Sequence, residues 1–343
     1  APCLFVACLA LANPALAEDA FRWIVQPQFQ DAGSSYHGIV PLQSGGLWGL
    51  MARDGTWIAK PQFEAVGQPG NGWFPIKAQG KWGIISETGE TVAGFDYDAI
   101  GTPSTYTPML FEGAWYALGP SLQFDADPLP FDTLIGNDGT CMVGTANGVP
   151  VTANRGDTVL DKAFPEFDSI SAPSEGFAPF MMAGKAGQIE CAYGVMWNGD
   201  APADEVRGFS EGLTAFRIGD TWNYAEIYGA TPQFDGGFED ARAFSQGLAP
   251  VKQGGKWGYI DLSGAWVIEP QFDNAYAFSD GVAGVEVAGK RGLILPSGRY
   301  AATPRFDDFW RHDGGAVPVR QGDLWGVIAP DATDPATRLN LPL

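Results

Sequence analysis

The chain has 343 residues, 40 of them acidic against 20 basic. Its net charge of −20 excludes a nucleic-acid interface and electrostatic docking on an anionic membrane, both of which require a basic face. Hydrophobic residues make up 45% and charged residues 17%, enough apolar side chain for a core and too little charge for a disordered polymer. Glycine (46) and proline (26) form about a fifth of the sequence, which suits short strands and tight turns rather than long helices.

Residues 1–17 carry no charge and end in Ala15-Leu16-Ala17 before Glu18-Asp19. This small-x-small ending predicts a partial secretory signal peptide cleaved after Ala17. The apolar stretch 3–12 is too short to span a bilayer. Val6-Ala7 before Cys8 suggests a lipidation site, but Phe5 and the apolar run beyond Cys8 favour simple cleavage. No later stretch is long and apolar enough for a membrane helix, so the expected product is exported, periplasmic or extracellular, and not membrane-spanning.

From residue 22 onward the sequence repeats itself. Trp23-Ile24-Val25-Gln26-Pro27 opens the array, and a Trp slot follows at Trp48, Trp82, Trp115, Trp222, Trp257, Arg291 and Trp325. Ala186-Gly187 holds the same slot without its Trp, and a further degenerate slot lies near Gly148. A Pro precedes the slot by seven residues at Pro41, Pro75, Pro108, Pro179, Pro250 and Pro318. A Pro-x-Phe column ends the unit at Phe29, Phe63, Phe167, Phe234, Phe272 and Phe306, with weaker forms at Phe95 and Phe131. Phe-Ser-acidic/Gln-Gly recurs at 209–212, 244–247 and 278–281. The spacings 48→82, 257→291 and 291→325 are all 34, and the array is irregular at about 120–160 and 187–208. Residues 18–343 therefore read as a single array of about nine units.

Lys81-Trp82-Gly83-Ile84, Lys256-Trp257-Gly258-Tyr259-Ile260 and Leu324-Trp325-Gly326-Val327-Ile328 resemble the WG-repeat (KWG-repeat) family, as do the Pro-Gln-Phe triplets at 27–29, 61–63, 232–234 and 270–272. The resemblance implies a β-rich binding or scaffolding repeat and carries no catalytic activity with it.

The unit 247–272 predicts a three-stranded antiparallel meander: 248–253, a Gly254-Gly255 turn, 256–261, a turn at Leu262-Ser263-Gly264, and 266–269. Pro250 cannot donate a ladder hydrogen bond, which places the first strand at an edge. Trp257 and Tyr259 share one face and Ile260 the other, so each meander is covered on both sides by its neighbours. Glycine after Trp predicts close approach of a neighbouring element. About nine three-stranded units exceed the roughly four to eight blades, usually of four strands, of a propeller. The expected fold is thus all-β, an open solenoid-like stack, with a closed β-propeller as the alternative.

The chemical inventory is sparse. The two histidines, His37 and His312, are far apart in sequence, and His312 reads as a solvated loop residue. No nucleophile elbow, zinc-binding helix or phosphate loop is present. Glu239-Asp240, Asp307-Asp308, Asp96 and Asp98 offer paired carboxylates. Asp96, Asp168, Asp235, Asp273 and Asp307 recur with the array, however, and fit turn capping. Cys141 and Cys191 form one disulfide in an oxidising compartment or remain buried thiols. No metal or cofactor is expected.

The reading that follows is a non-enzymatic scaffold in the cell envelope, its partner an envelope protein or a cell-wall glycan. The alternative is carbohydrate binding to peptidoglycan or exopolysaccharide through Trp57, Trp266 and Tyr300, which share one repeat position and otherwise read as packing residues. An unrecognised hydrolase in 120–208 ranks third.

Overall fold

The computed structural model describes residues 20–332 except 126, 140, 156–158, 198–202, 227–232 and 235; the leader segment 1–17 lies outside them. Nine antiparallel sheets follow one another along the chain, seven of four strands and two of three among the described residues. They are blades 1 (31–63), 2 (65–97), 3 (99–118), 4 (133–163), 5 (169–197), 6 (205–226), 7 (240–272), 8 (274–306) and 9 (308–330 with 21–29).

The ninth sheet closes the array. Its outer strand is Phe21–Phe29, taken from the beginning of the array and paired with Leu324–Pro330 from its end. Blade 9 also packs on blade 1. Ala316, Trp325 and Val327 share a buried cluster with Ala32, Val40, Leu42 and Met51. Ser35 Oγ donates to the Ala316 carbonyl at 2.6 Å, and Gly38 N to the Asp313 carbonyl at 3.0 Å. The array is a closed nine-bladed propeller and not the open stack expected above. Nine blades exceed the usual number, but the ring is completed by strand exchange between the two ends, which an open array would leave unpaired.

The expected meander is the outer part of a larger blade. In most blades a two-residue strand precedes it, such as Asp240–Ala241, paired as Asp240↔Lys252 and Ala241↔Val251. In blade 8 the strand is Asn274–Ser279, directly after Phe272. The Pro-bearing strand Leu248–Gln253 therefore has a neighbour on each side and is not an edge. Pro250 still costs one ladder bond. Arg242 N donates to the Pro250 carbonyl at 3.0 Å, but nothing on Pro250 can answer the Arg242 carbonyl. That carbonyl instead accepts the hydroxyl of Tyr224, from blade 6, at 2.5 Å.

The glycine after Trp is pressed by the outer strand of its own blade rather than by a neighbouring unit. A methyl group on Gly258 would lie 2.4 Å from the Ile268 oxygen and 2.8 Å from the Pro270 nitrogen; on Gly49 it would lie 2.6 Å from the Ala59 oxygen and 2.7 Å from the Pro61 nitrogen. Between Trp257↔Phe272 and Tyr259↔Ile268 the register slips, so the outer strand bulges across the glycine. The Trp-Gly and Pro-x-Phe columns are thus two halves of one contact.

The cores lie between blades. Trp257, Tyr259 and Phe272 of blade 7 are buried with Phe278, Val285 and Ile294 of blade 8. Each such aromatic contributes on the order of 1.5–3 kcal/mol.

Candidate functional site

Two-residue turns join the first and second strands of the blades, and they crowd toward the ring axis. In the Phe-Ser-acidic/Gln-Gly signature both central residues take positive φ: 53° and 85° at Glu211-Gly212, 54° and 78° at Gln246-Gly247, 48° and 75° at Asp280-Gly281. This is the tight hairpin turn whose twist matches the strands, and its second position favours glycine. The other member reaches sideways. Glu211 Oε2 accepts from Gly247 N, Gln246 Oε1 from Gly281 N, and Asp280 Oδ2 from Gly315 N, each at 3.0 Å. The serines add a second tie: Ser245 Oγ donates to the Phe278 carbonyl at 2.7 Å and Ser279 Oγ to the His312 carbonyl at 2.8 Å.

These turns line a cavity of about 520 Å³ that draws on five successive blades, with Ser174, Ser210, Ser245, Ser279, Arg311 and His312 in its wall. Only the axis of a ring brings five blades to one space. Phe244, Phe278 and Tyr276 supply apolar surface.

His312 is not solvated. It is 4% exposed, in the repeat position of Phe244 and Phe278, with Nε2 3.2 Å from the Ser279 carbonyl oxygen. Burial lowers its pKa from the ordinary value; the Ser279 carbonyl and the nearby Asp280 and Asp313 oppose that shift. His37 lies elsewhere, stacked on Tyr36 with Nδ1 2.6 Å from Glu87 Oε1.

The paired carboxylates other than Asp96 are engaged one by one. Glu239 accepts from Gly255 N and Asp240 pairs with Arg207 at 2.8 Å. Asp307 takes Lys290 and Gly322 N, and Asp308 takes Arg291. Asp98 meets Lys81 at 2.6 Å. Asp168 and Asp273 cap the turns at Gly184 and Ala288. The capped carboxylates of Asp273 and Asp307 sit below their ordinary pKa, chiefly through the bond from the paired lysine. Asp235 lies outside the described residues. Among the described residues no three His, Cys, Asp or Glu side chains form a group able to hold a metal ion.

Trp57, Trp266 and Tyr300 are half-buried in the seams between blades and lie on blades 1, 7 and 8. Trp57 meets Phe29 edge-on at 5.8 Å and Trp266 meets Phe238 at 6.1 Å, while Tyr300 packs on the core between blades 7 and 8. They do not converge. Cys141 and Cys191 are joined in a disulfide between blades 4 and 5, with a Cα–Cα distance of 5.6 Å. The sequence offered His312 only as a solvated loop residue and gave no role to Arg311 beside it. Their place in the axial wall depends on neighbours a full repeat away.

The model of the WG containing repeat family matches residues 19–48, 48–82, 165–185, 234–257 and 257–290. No curated protein matches the chain. Among solved structures, the ring is similar to a eukaryotic initiation factor at 9% identity and a TM-score of 0.56, covering 89% of this chain and 91% of that one; the likeness is one of fold. AztD from Citrobacter koseri (10% identity, TM-score 0.40, 70% of this chain and 87% of that one) and Hsv2p from Kluyveromyces lactis (12%, 0.38, 55% and 71%) are more distant in shape. Among the described residues no helix is long and apolar enough to cross a membrane.

Proposed function

We propose, from the five stretches that match the WG containing repeat model, that the chain is an exported, non-enzymatic interaction module of the cell envelope. The observation that supports this reading is the state of the axial cavity. The hydroxyls of Ser245 and Ser279, the ring of His312 and the carboxylate of Asp280 are all held in bonds that tie one blade to the next. A nucleophile needs a free hydroxyl beside a free base, and these groups are engaged with backbone. A rigid ring of nine similar blades instead offers a broad surface with fixed spacing, suited to holding a partner. Export rests on the leader-like sequence of residues 1–17.

The test is to purify residues 18–343 and pass solubilised envelope proteins and insoluble peptidoglycan over them in parallel. A stoichiometric complex with one defined protein supports the reading. Retention on peptidoglycan alone replaces it with glycan binding. A hydrolase activity abolished by Ser279→Ala or His312→Phe in a folded protein overturns it.

A further inference from the structure

Blades 3 and 6 keep the Trp of the repeat but lose the glycine after it, to Tyr116 and Asn223. Tyr116 follows Trp115 where Gly49, Gly258, Gly292 and Gly326 stand elsewhere, and at those four a side chain would run into the outer strand. Among the described residues the return past Leu118 is irregular: it follows strand 114–118 through isolated bonds, such as Leu129 N to the Trp115 carbonyl at 2.7 Å, and forms no regular outer strand. After Leu118 the chain swings outward through Leu122, at φ 58°, and returns in a single bridge, Leu118↔Phe124. Asp125 N then donates to the Ala117 carbonyl at 3.1 Å.

The space beside this return is a cleft of about 450 Å³ next to the outer strand of blade 2. Its walls are Tyr97, Phe111, Tyr116 and Phe124, with Asp96 and Asp125 at the rim. The rings stand at steep angles to one another: Tyr97–Phe111 at 6.0 Å and 61°, Tyr97–Phe124 at 5.9 Å and 57°, Tyr116–Phe124 at 5.9 Å and 65°. Rings set this way surround a space, whereas a flat sugar platform requires one open face. Phe124 is 39% exposed and presents part of its ring to the cleft.

The electrostatics are one-sided. Asp125 pairs with Arg155 Nε at 2.9 Å, but Arg155 is also gripped by Asp161, so two carboxylates answer one guanidinium. Asp96 has no cationic partner among the described residues, and neither lysine nor arginine lines the cleft. A neutral sugar is usually met by a mixture of donors and acceptors. Here the Asp96 carboxylate at the rim has no ion pair among the described residues, Asp125 shares its Arg155 with Asp161, and the balance of charge around the four rings is negative, which favours a cation.

We propose that the cleft of blade 3 binds an alkylated ammonium cation of the trimethylammonium class. Aromatic faces attract such a cation through their negative quadrupole, and an ammonium with no N–H needs no hydrogen-bond acceptor in the walls. The volume leaves room for the chain that bears the cation. The net charge of −20 draws cations toward the surface. The inference is independent of the scaffold reading.

The experiment titrates choline, by calorimetry or saturation-transfer NMR, into the folded chain, with 3,3-dimethylbutan-1-ol as the neutral isostere. Choline saturates one site, and the isostere binds about tenfold more weakly or less. Phe124→Ala and Tyr116→Ala each lower choline affinity by about tenfold, and Asp96→Asn by about threefold, at low ionic strength. The melting midpoint of each variant is measured alongside, and the conservative Phe124→Leu, which keeps the apolar contacts but removes the ring, separates ligand loss from unfolding. Phosphatidylcholine vesicles and a trimethyl-lysine peptide then distinguish the source; binding either, or only free choline, assigns the carrier. Equal affinity for the isostere, no saturation by choline, or full affinity in Phe124→Ala overturns the proposal.

Discussion

A hydrogen atom on Gly258 lets the outer strand of blade 7 cross within van der Waals reach of the strand beneath it. A methyl there would sit 2.4 Å from a backbone oxygen that belongs to a fixed ladder. Gly258→Ala should therefore lower stability by about 1–3 kcal/mol, read as a lower denaturant midpoint. Gly208→Ala is its control: the nearest atom to the added methyl is 3.5 Å away and the midpoint should hold. His312 makes a different demand. Its folded pKa lies below the ordinary value of about 6.5. The unfolded chain thus takes up a proton first as the pH falls, and stability is lost from about pH 6.5 downward until the folded form also titrates. A melting midpoint that declines between about pH 7.5 and 5.5, with a flatter decline in His312→Phe, is the expected result. Parallel curves would remove the histidine from that account.

At the scale of the element, each blade is held to the next by short side chains from tight turns, and blades 4 and 5 by a covalent bond as well. The Cys141–Cys191 bridge closes a loop with a sequence separation of 50. Loop-closure entropy assigns it about 4 kcal/mol. Reduction, or Cys141→Ala with Cys191→Ala, should lower the thermal midpoint and make the 141–191 region the first to be cut in limited proteolysis. An unchanged cleavage order would show that packing alone holds these two blades. Blade 3 shows the converse: where Tyr116 stands in the glycine column, the return of the chain along strand 114–118 is irregular and a cleft lined by aromatic rings opens beside it.

Across the whole molecule, the repeat was legible and the closure was not. Trp, Pro and Phe columns recur because each faces the same contact in each blade, and the strands around Trp257 follow the alternation of their side chains. A two-residue strand such as Asp240–Ala241 is too short to alternate, so the fourth strand left no pattern. Ring closure depends on Phe21–Phe29 meeting Leu324–Pro330, a pairing that lies between ends and not within any unit. The axial wall was hidden for the same reason: the Ser-acidic-Gly columns announce a turn, while the bonds they make run to residues 33 to 36 positions away. The aromatic cleft left one trace, the Tyr after Trp115. Deleting residues 20–29 should expose the Leu324–Pro330 edge and yield dimers or aggregates by light scattering. A monomer with the parent midpoint would argue for an array indifferent to its ends.

The strand that seals the ring is the first described segment to be synthesised, and its partner is the last. During synthesis, and during any passage through a membrane channel, the early strand must wait without its mate while eight sheets form behind it. Closure of the ring therefore waits until Leu324–Pro330 has been made, and a copy interrupted before that keeps a raw β edge on display. Proteases and neighbouring copies can read that edge, so the seam makes unfinished molecules chemically distinct from finished ones.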